Sequence, residues 1–323
     1  MFRKSIRYIL IILATGLLLA ILYDAFLQAG FKKTKEDEVG KLNAIINDSA
    51  YFNVVCFGSS RALAHFDPIL FEHRTGMTAY NAGFNGAAIT DMHMLFKAYL
   101  KKHKAPRIVV LHFDDFTLET EKIVELPRYF PFIDDDEIYD AIRPLQKEAF
   151  YVRHLPFLRI MYYSDLIKWT GMKPFLGLTA RGEYALHNGY VSARNDSSYW
   201  TSYLEDHVND RIREVSAPPL KPSQLKKGAA LLKDIFITCR KLGVHIVATS
   251  SPITYGRLDL KYQATQSLVE QLAIGYDVDF YWSHAMDINP RPYFYDYSHM
   301  SCKGAKLYTG NLADFILSSE NKR

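Results

Sequence analysis

The sequence lacks the features that mark several common classes of protein. It has only three cysteines, none of them in a C-x-x-C pair, so neither a disulfide framework nor a zinc site of that kind is expected. Its formal net charge is +4 over 323 residues, without a long basic run, which argues against nucleic-acid binding. We expect one large globular domain or two small ones, and nothing in the residues implies a metal or an organic cofactor.

Charge is also scarce near the start of the chain. The run Tyr8–Leu27 carries a single charged residue, Asp24, and is long enough to cross a hydrocarbon core of roughly 30 Å. Basic residues precede this run and favour a cytoplasmic N-terminus, although lysines also follow it. We therefore expect residues 1–30 to be a single-pass membrane anchor, with the rest of the chain outside the cytoplasm.

Other interpretations of this segment stay open. Cleavage near Ala29 would make it a signal peptide, but the apolar run is long for one and no clear A-x-A site follows. A buried core helix can also be apolar on all faces, but it is less expected than a membrane span for a segment that begins the chain. Residues 31–50 are charged and compatible with a helix, and we expect them to be a spacer between the membrane and residues 51–323.

Five short apolar runs in residues 51–323 predict buried strands. They are "NVVCF", "TAYNA", "RIVVLHF", "VHIVATS" and "VDFYW", which start at Asn53, Thr78, Arg107, Val244 and Val278. Helical patterns lie between or after them, at Thr90–Lys101, Ser223–Leu242 and Lys303–Leu317. Alternating strands and helices indicate a doubly wound α/β domain, with a parallel sheet of five strands and its site at the carboxyl ends of the strands.

The alternation breaks in residues 117–222. This stretch is irregular and rich in aromatic residues, and a structureless connection of such length is implausible in a compact domain. We expect a large, mostly helical insertion that lies over the strand ends as a lid or a substrate platform.

The first predicted strand runs directly into Gly58, Ser59 and Ser60. A serine just past a buried strand can begin a helix, where free backbone N–H groups and the helix dipole favour developing negative charge. Serine is also a common helix N-cap, so this stretch alone favours a capping role. A nucleophilic serine would need a base from elsewhere in the chain.

A candidate base lies near the other end of the sequence. Asp296 and His299 are three residues apart, just before the last predicted helix. That spacing can bring a carboxylate onto one imidazole nitrogen and leave the other free to take a proton from a hydroxyl. In a chain with 11 histidines such a pair also arises by chance, so it gains weight only together with the serine motif.

The order of these motifs resembles that of the SGNH (GDSL-like) hydrolase superfamily. "CFGSS" resembles the first block, which puts the nucleophile on Ser60, and "DYSH" resembles the last block, with Asp296 and His299. "NAGFNGA" resembles the second block, whose glycine N–H lines the oxyanion hole together with that of the nucleophile, and here that glycine is Gly86. The resemblance implies a flavodoxin-like three-layer sandwich.

One block departs from the family pattern. The third block usually offers an asparagine side chain to the oxyanion, but "LHFDDF" has no Gly-x-Asn, and Asp114 or Asp115 stands in that place. A carboxylate there would repel an oxyanion unless it is protonated or turned aside. His112 is a substitute donor or a packed strand-end histidine. Arg61 can hold an anionic substrate group or form a surface salt bridge.

The candidate substrate-binding residues are therefore Arg61, Asn85, Asp114 and Asp115. The layout resembles membrane-anchored SGNH-like proteins, such as those of D-alanyl transfer to teichoic acid and of polysaccharide O-acetylation. This implies a serine esterase or acyltransferase acting on O-acyl groups of a cell-envelope glycan, with a membrane acyltransferase as a candidate partner. Two alternatives remain: a non-catalytic glycan-binding or assembly subunit, and a cytoplasmic enzyme.

Overall fold

A parallel sheet of five strands lies at the centre of the chain, as the apolar runs predict. A computed structural model describes residues 2–119, 123–179, 182–192, 225–253, 260–283, 292–296 and 298–323. The strands are β1 (Val54–Phe57), β2 (Ala79–Asn81), β3 (Ile108–His112), β4 (His245–Ser250) and β5 (Val278–Trp282). Their order is β2-β1-β3-β4-β5, and all neighbours are parallel, as in flavodoxin-like doubly wound sheets.

Helices precede, connect and follow these strands. In chain order they are α1 (Phe2–Phe31), α2 (Asp37–Ile46), α3 (Ser60–His65), α4 (Pro68–Thr75), α5 (Ile89–Lys102), α6 (Asp136–Ile142), α7 (Ala149–His154), α8 (Pro156–Tyr162), α9 (Asp165–Met172), α10 (Glu183–Leu186), α11 (Lys226–Leu242), α12 (Leu260–Ala273) and α13 (Cys302–Glu320). Two 3-10 helices span Leu126–Phe132 and Lys173–Leu176. The predicted helices are confirmed as α5, α11 and α13, whereas the sequence prediction lacked α12; the predicted start at Ser223 lies outside the described residues.

The core has two layers because successive strand residues point to opposite faces of the sheet. On β1, Val54 and Cys56 pack with residues of α3, α4 and α13. Val55 and Phe57 pack with residues of α2, α5 and α11 on the other face. Every position of β1 is buried, which explains why the strand is a continuous apolar run rather than an alternating one.

Residues 31–50 differ from the predicted spacer. Within them, α2 buries Leu42 and Ile45 completely in the main core. Its Lys41 side chain is also buried, and the ammonium group donates hydrogen bonds to the carbonyl oxygens of Gly83 and Gly189. The apolar residues recur at helical spacing, but the charged residues between them hid this pattern. Helix α2 is therefore part of the α/β domain.

The described part of the insertion is mostly helical, as predicted. Most of its helices pack beside the sheet, against α5 and α1. Tyr129 Oη donates to Asp91 Oδ1 of α5 at 2.6 Å, and Gln28 of α1 donates to Tyr163 Oη at 2.7 Å.

Other residues of the insertion lie near the strand ends. Val124 faces Gly86, and the Asn188 carbonyl accepts the N–H of Asn81 at the carboxyl end of β2. A lid or substrate platform over the strand ends stays a prediction. Residues 193–222 of the insertion lie outside the described part of the chain.

Helix α1 has the length and composition of a membrane span. The segment Arg3–Phe31 reaches a mean hydropathy of 2.4 in its most apolar window, and only 6% of that window is buried. A signal sequence has the same properties. The last turns of α1 are different, because Leu27 and Phe31 are buried against the insertion.

Candidate active site

The two serines that follow β1 have different environments. Ser59 is buried and is the N-cap of α3, where its Oγ accepts the Arg61 N–H at 3.2 Å. Ser60 is the first residue of α3 and is half-buried. The capping role that the sequence suggested for either serine therefore belongs to Ser59, and the Ser60 hydroxyl is free for another partner.

That partner is the histidine predicted from the distant end of the sequence. His299 Nε2 lies 2.8 Å from Ser60 Oγ, and His299 Nδ1 lies 2.9 Å from Asp296 Oδ2. Because an ionised carboxylate only accepts hydrogen bonds, Nδ1 carries the imidazole proton and Nε2 accepts the serine O–H. We call Ser60, His299 and Asp296 the triad; this arrangement is the one that activates a serine hydroxyl.

The carboxylate of the triad is held in place by its own loop. Its Oδ1 accepts the N–H of Ser298 at 2.8 Å and that of His299 at 2.7 Å. Burial alone would raise the pKa of Asp296, but the hydrogen bonds from His299 and from these N–H groups outweigh it, so this pKa lies below its usual value. Asp296 is therefore ionised at neutral pH and can stabilise an imidazolium.

A second histidine, His65, holds the loop that carries Asp296 and His299. The Met300 N–H donates to His65 Nε2 at 2.8 Å, and Phe294 and Met300 form an antiparallel bridge. The rings of His65 and His299 have their centroids 6.2 Å apart. Sequence analysis missed His65, although its position on α3, five residues after Ser60, was a usable signal.

Gly86 lies in the loop after β2, which is tied to the end of β1. The Phe84 N–H donates to the Gly58 carbonyl at 3.0 Å. Gly86 has a φ of +68°, which favours glycine, and a Cβ there would lie 3.0 Å from Val124 Cβ of the insertion. Among the described residues, neither the Gly86 N–H nor the Ser60 N–H has a protein acceptor, and their role in an oxyanion hole stays a prediction.

Arg61 and Asp114 require a correction, because they bind each other inside the protein. Arg61 Nη1 lies 2.5 Å from Asp114 Oδ1, with side chains 6% and 1% exposed, and Ser59 Oγ donates to Asp114 Oδ2. The predicted surface salt bridge of Arg61 is therefore a buried one. The Asp114 carboxylate is thus turned into the interior, and neither side chain is free to hold substrate.

The charge of Asp114 is retained by this pairing. Burial alone would raise the pKa of Asp114, but the Arg61 guanidinium, nearby His112 and the hydrogen bond from Ser59 outweigh it and hold this pKa below its usual value. Paired charges of this kind are tolerated in a protein interior because each compensates the other.

Two buried histidines complete a polar cluster around Ser251, which follows β4. The Ser251 Oγ lies 2.6 Å from His65 Nδ1 and 3.0 Å from His112 Nε2. Burial and Arg61 lower the pKa of His112 to about 4 despite nearby Asp114, and burial lowers that of His65 as well. We call Arg61, His65, His112, Asp114 and Ser251 the buried polar cluster. His112 is thus a packed strand-end histidine.

The remaining candidates lie at the edge of the site. Asn85 is exposed at the tip of the loop that carries Gly86. Asp115 is half-buried, and its carbonyl accepts the Thr265 hydroxyl at 3.1 Å. Their roles as substrate-binding residues stay predictions.

Comparison with known proteins gives no further assignment. No protein-family model matches the chain, and no curated protein matches its sequence. The resemblance to SGNH hydrolases therefore rests on the motifs in the sequence and stays a prediction.

Proposed function

We propose that the chain is a membrane-anchored serine esterase or acyltransferase of the SGNH type. One observation carries the proposal: Ser60, His299 and Asp296 form a continuous chain of hydrogen bonds, although 239 positions separate the serine from the histidine. The triad lies at the carboxyl edge of a parallel sheet, where sites of doubly wound folds are found.

The reaction follows from the hydrogen-bond directions. Ser60 Oγ attacks an acyl carbonyl while its proton passes to His299 Nε2, and Asp296 stabilises the imidazolium. The N–H groups of Ser60 and Gly86 bind the oxyanion of the tetrahedral intermediate. The intermediate then collapses, the alcohol leaves with the proton from His299, and an acyl-serine remains. Water or a sugar hydroxyl then attacks the acyl-serine while its proton passes to His299. When this second intermediate collapses, Ser60 Oγ takes the proton back from His299, and the free acid or a new sugar ester is released.

The substrate class comes from the position of the domain and from the family resemblance. Helix α1 serves as a single-pass anchor that holds the α/β domain outside the cytoplasm. O-acyl groups on a cell-envelope polysaccharide are within reach of a domain held at that surface. A membrane acyltransferase is the partner that would supply or receive such groups.

A second function, that of a non-catalytic glycan-binding or assembly subunit, is favoured by the altered third block. Asp114 stands where the family offers an asparagine, and it is bound to Arg61 and Ser59. Loss of one oxyanion donor typically lowers a rate by about 10²–10³. The triad is intact, however, so we place the enzyme first.

Fluorophosphonate labelling of the full-length chain in detergent separates the two functions. The full chain is needed because α2 belongs to the core. We expect the wild type to be labelled and Ser60→Ala to remain unlabelled. Ser49→Ala, which changes an exposed serine that precedes β1, at the other end of that strand from Ser60, is the matched control and should be labelled. A folded wild type that resists labelling would favour the assembly subunit.

A further inference from the structure

Helix α1 changes environment part of the way along its length. From Tyr8 to Leu22 its side chains are exposed, apart from half-buried Ala20. Asp24, Leu27 and Phe31 are 3%, 0% and 1% exposed. The insertion buries the last turns: a Cβ on Gly30 would meet the backbone of Gly171 in α9.

The apolar part of α1 that lies clear of the insertion is too short to cross a bilayer by itself, because Arg7 precedes it and Tyr23 already contacts Met172 of α9. Fifteen residues from Tyr8 to Leu22 span about 22 Å as a helix, against a hydrocarbon core of roughly 30 Å. The missing distance, about 8 Å, corresponds to the turns of α1 that the insertion covers. Whatever lies beside these turns then lies at the boundary between headgroups and acyl chains.

The elements beside these turns expose large apolar side chains. We call them the apolar patch: Leu166 (66% exposed), Leu176 (55%), Leu178 (52%), Trp169 (42%) and Phe175 (41%). Leu166 and Trp169 belong to α9, Phe175 and Leu176 belong to the 3-10 helix that follows, and Leu178 lies just after that helix. The patch continues onto α1, because the Phe175 ring stacks on Phe26 with centroids 4.3 Å apart. Exposed apolar groups in such a cluster mark an interaction surface.

Basic residues border the patch. Lys33 lies just after α1, and its ammonium is 4.9 Å from the centroid of the Phe175 ring. Beside it is a cavity of about 500 Å³ whose lining includes the exposed Lys32, Lys33 and Lys35 and one acidic residue, Asp48. Apolar side chains edged by lysines match the acyl chains and anionic headgroups of a lipid surface.

The single charge within the apolar part of α1 supports the same placement. Asp24 Oδ2 lies 3.9 Å from Arg159 Nε of α8, and the two side chains are 5% and 4% exposed. An unpaired carboxylate facing lipid would be costly. Here the insertion encloses the charge, so α8 and α9 can lie at the depth of Asp24.

We propose that the apolar patch is a second membrane-contact surface, which enters the bilayer interface where α1 leaves it and fixes the α/β domain against the lipid. The occupant is the anionic bilayer that holds α1. The inference rests on the anchoring role of α1 under the proposed function, but not on catalysis by Ser60.

Spin labels at single cysteines test this contact in the full-length chain, reconstituted into phosphatidylglycerol-containing vesicles. In a Cys302→Ser background, nitroxides are attached at Leu176→Cys in the patch, Leu13→Cys in α1 and Leu242→Cys at the end of α11. Leu242 is the matched control, since it is 49% exposed beside the 55% of Leu176. Collisions with oxygen report lipid contact, and collisions with a water-soluble nickel chelate report water.

We expect the ratio of oxygen to nickel collisions at Leu176→Cys to exceed that at Leu242→Cys by at least about threefold, as labels about 5–10 Å into the interface are shielded from water. If the label at Leu13→Cys is in lipid and the label at Leu176→Cys is in water, the membrane contact of the apolar patch is contradicted and the anchoring role of α1 is supported. A water-like label at Leu13→Cys would overturn both. Neither result depends on fluorophosphonate labelling.

Discussion

The triad and the buried polar cluster both contain serine, histidine and aspartate, lie side by side and differ in what surrounds them. In the triad, the side chains of His299 and Asp296 are 30% and 18% exposed. In the buried polar cluster, His65 and His112 are fully buried. The rings of His65 and His299 are 6.2 Å apart, so the contrast arises within one short distance.

The difference teaches which side chains are free to react. In the triad, the hydrogen bonds run from the half-buried Ser60 hydroxyl to His299 and from His299 to Asp296. In the cluster, Ser251 Oγ lies between two histidines, and Asp114 is bound by Arg61 and Ser59. Contact with a histidine is therefore not enough to make a serine a candidate nucleophile. Ser60 differs from Ser251 because a substrate can reach its hydroxyl and because His299 Nε2 can accept its proton.

The largest expected effect separates activity from stability. Ser60→Ala should lower the rate of ester hydrolysis by on the order of 10⁶, while the free energy of unfolding changes by less than about 1 kcal/mol because Ser60 is half-buried and caps no helix. Hydrolysis of a p-nitrophenyl ester and denaturant unfolding measure the two quantities. A variant that keeps a tenth of the rate would remove Ser60 from the reaction.

The next effect tests the orientation of the histidine. Asp296→Asn should lower the rate by about 10⁴, because an amide can donate to His299 Nδ1 and so favour the tautomer that cannot take the serine proton. Rates measured across pH should stay low at every pH above neutrality. A loss of less than tenfold would show that the Asp296 contact does not orient the base.

The third effect belongs to the buried polar cluster, where a substitution should lower stability, whereas Ser60→Ala lowers the rate and leaves stability nearly unchanged. Asp114→Ala leaves the Arg61 guanidinium buried without its counter-charge, and should lower the free energy of unfolding by about 3–5 kcal/mol. The double variant Arg61→Met/Asp114→Leu removes both charges and should recover most of that loss. Urea unfolding of the three proteins measures this. If Asp114→Ala were as stable as the wild type, the pair would not be a structural one.

The smallest effect is a pH dependence of stability from His112. Its folded pKa of about 4 lies below the unfolded value of about 6.5, so the unfolded chain binds the extra proton between these limits. Stability should therefore fall by roughly 3 kcal/mol as pH falls from 6.5 to 4. The depressed pKa of Asp114 acts only below about pH 4.

Denaturant unfolding at pH 7 and at pH 5 measures this slope. His112→Gln should reduce the slope and leave the part that comes from His65, whose pKa burial also lowers, whereas His73→Gln, which changes an exposed histidine, should leave it unchanged. A wild-type stability that stays constant between these pH values would mean that His112 is not held neutral in the folded protein.

Local patterns predicted the sheet and the triad but not the packing around them. The five strands were predictable because each is a short apolar run that ends at a polar or glycine residue. The triad was predictable because two weak motifs lie in the order of one family. Helix α2 was missed because its charged residues hide the apolar face, and α12 because its pattern is mostly polar.

The contact between Arg61 and Asp114 could not be predicted in the same way. These residues are 53 positions apart, and they meet because β1 and β3 are neighbours that end together. Strand order is a property of the whole sheet, and no local spacing encodes it. The edge of the sheet was predictable for both residues, because Arg61 follows β1 and Asp114 follows β3, and the carboxyl ends of parallel strands lie at one edge.

Mass spectrometry of the acyl-serine tests directly whether Ser60 is the nucleophile that His299 activates. The full-length chain is incubated with a p-nitrophenyl ester, quenched with acid and digested, and the peptide that contains Ser59 and Ser60 is fragmented. The account predicts an acyl group on Ser60, absent from His299→Ala and present in Ser49→Ala. An acyl group on Ser59, or a wild type that hydrolyses the ester without any acyl group on Ser60, would contradict it.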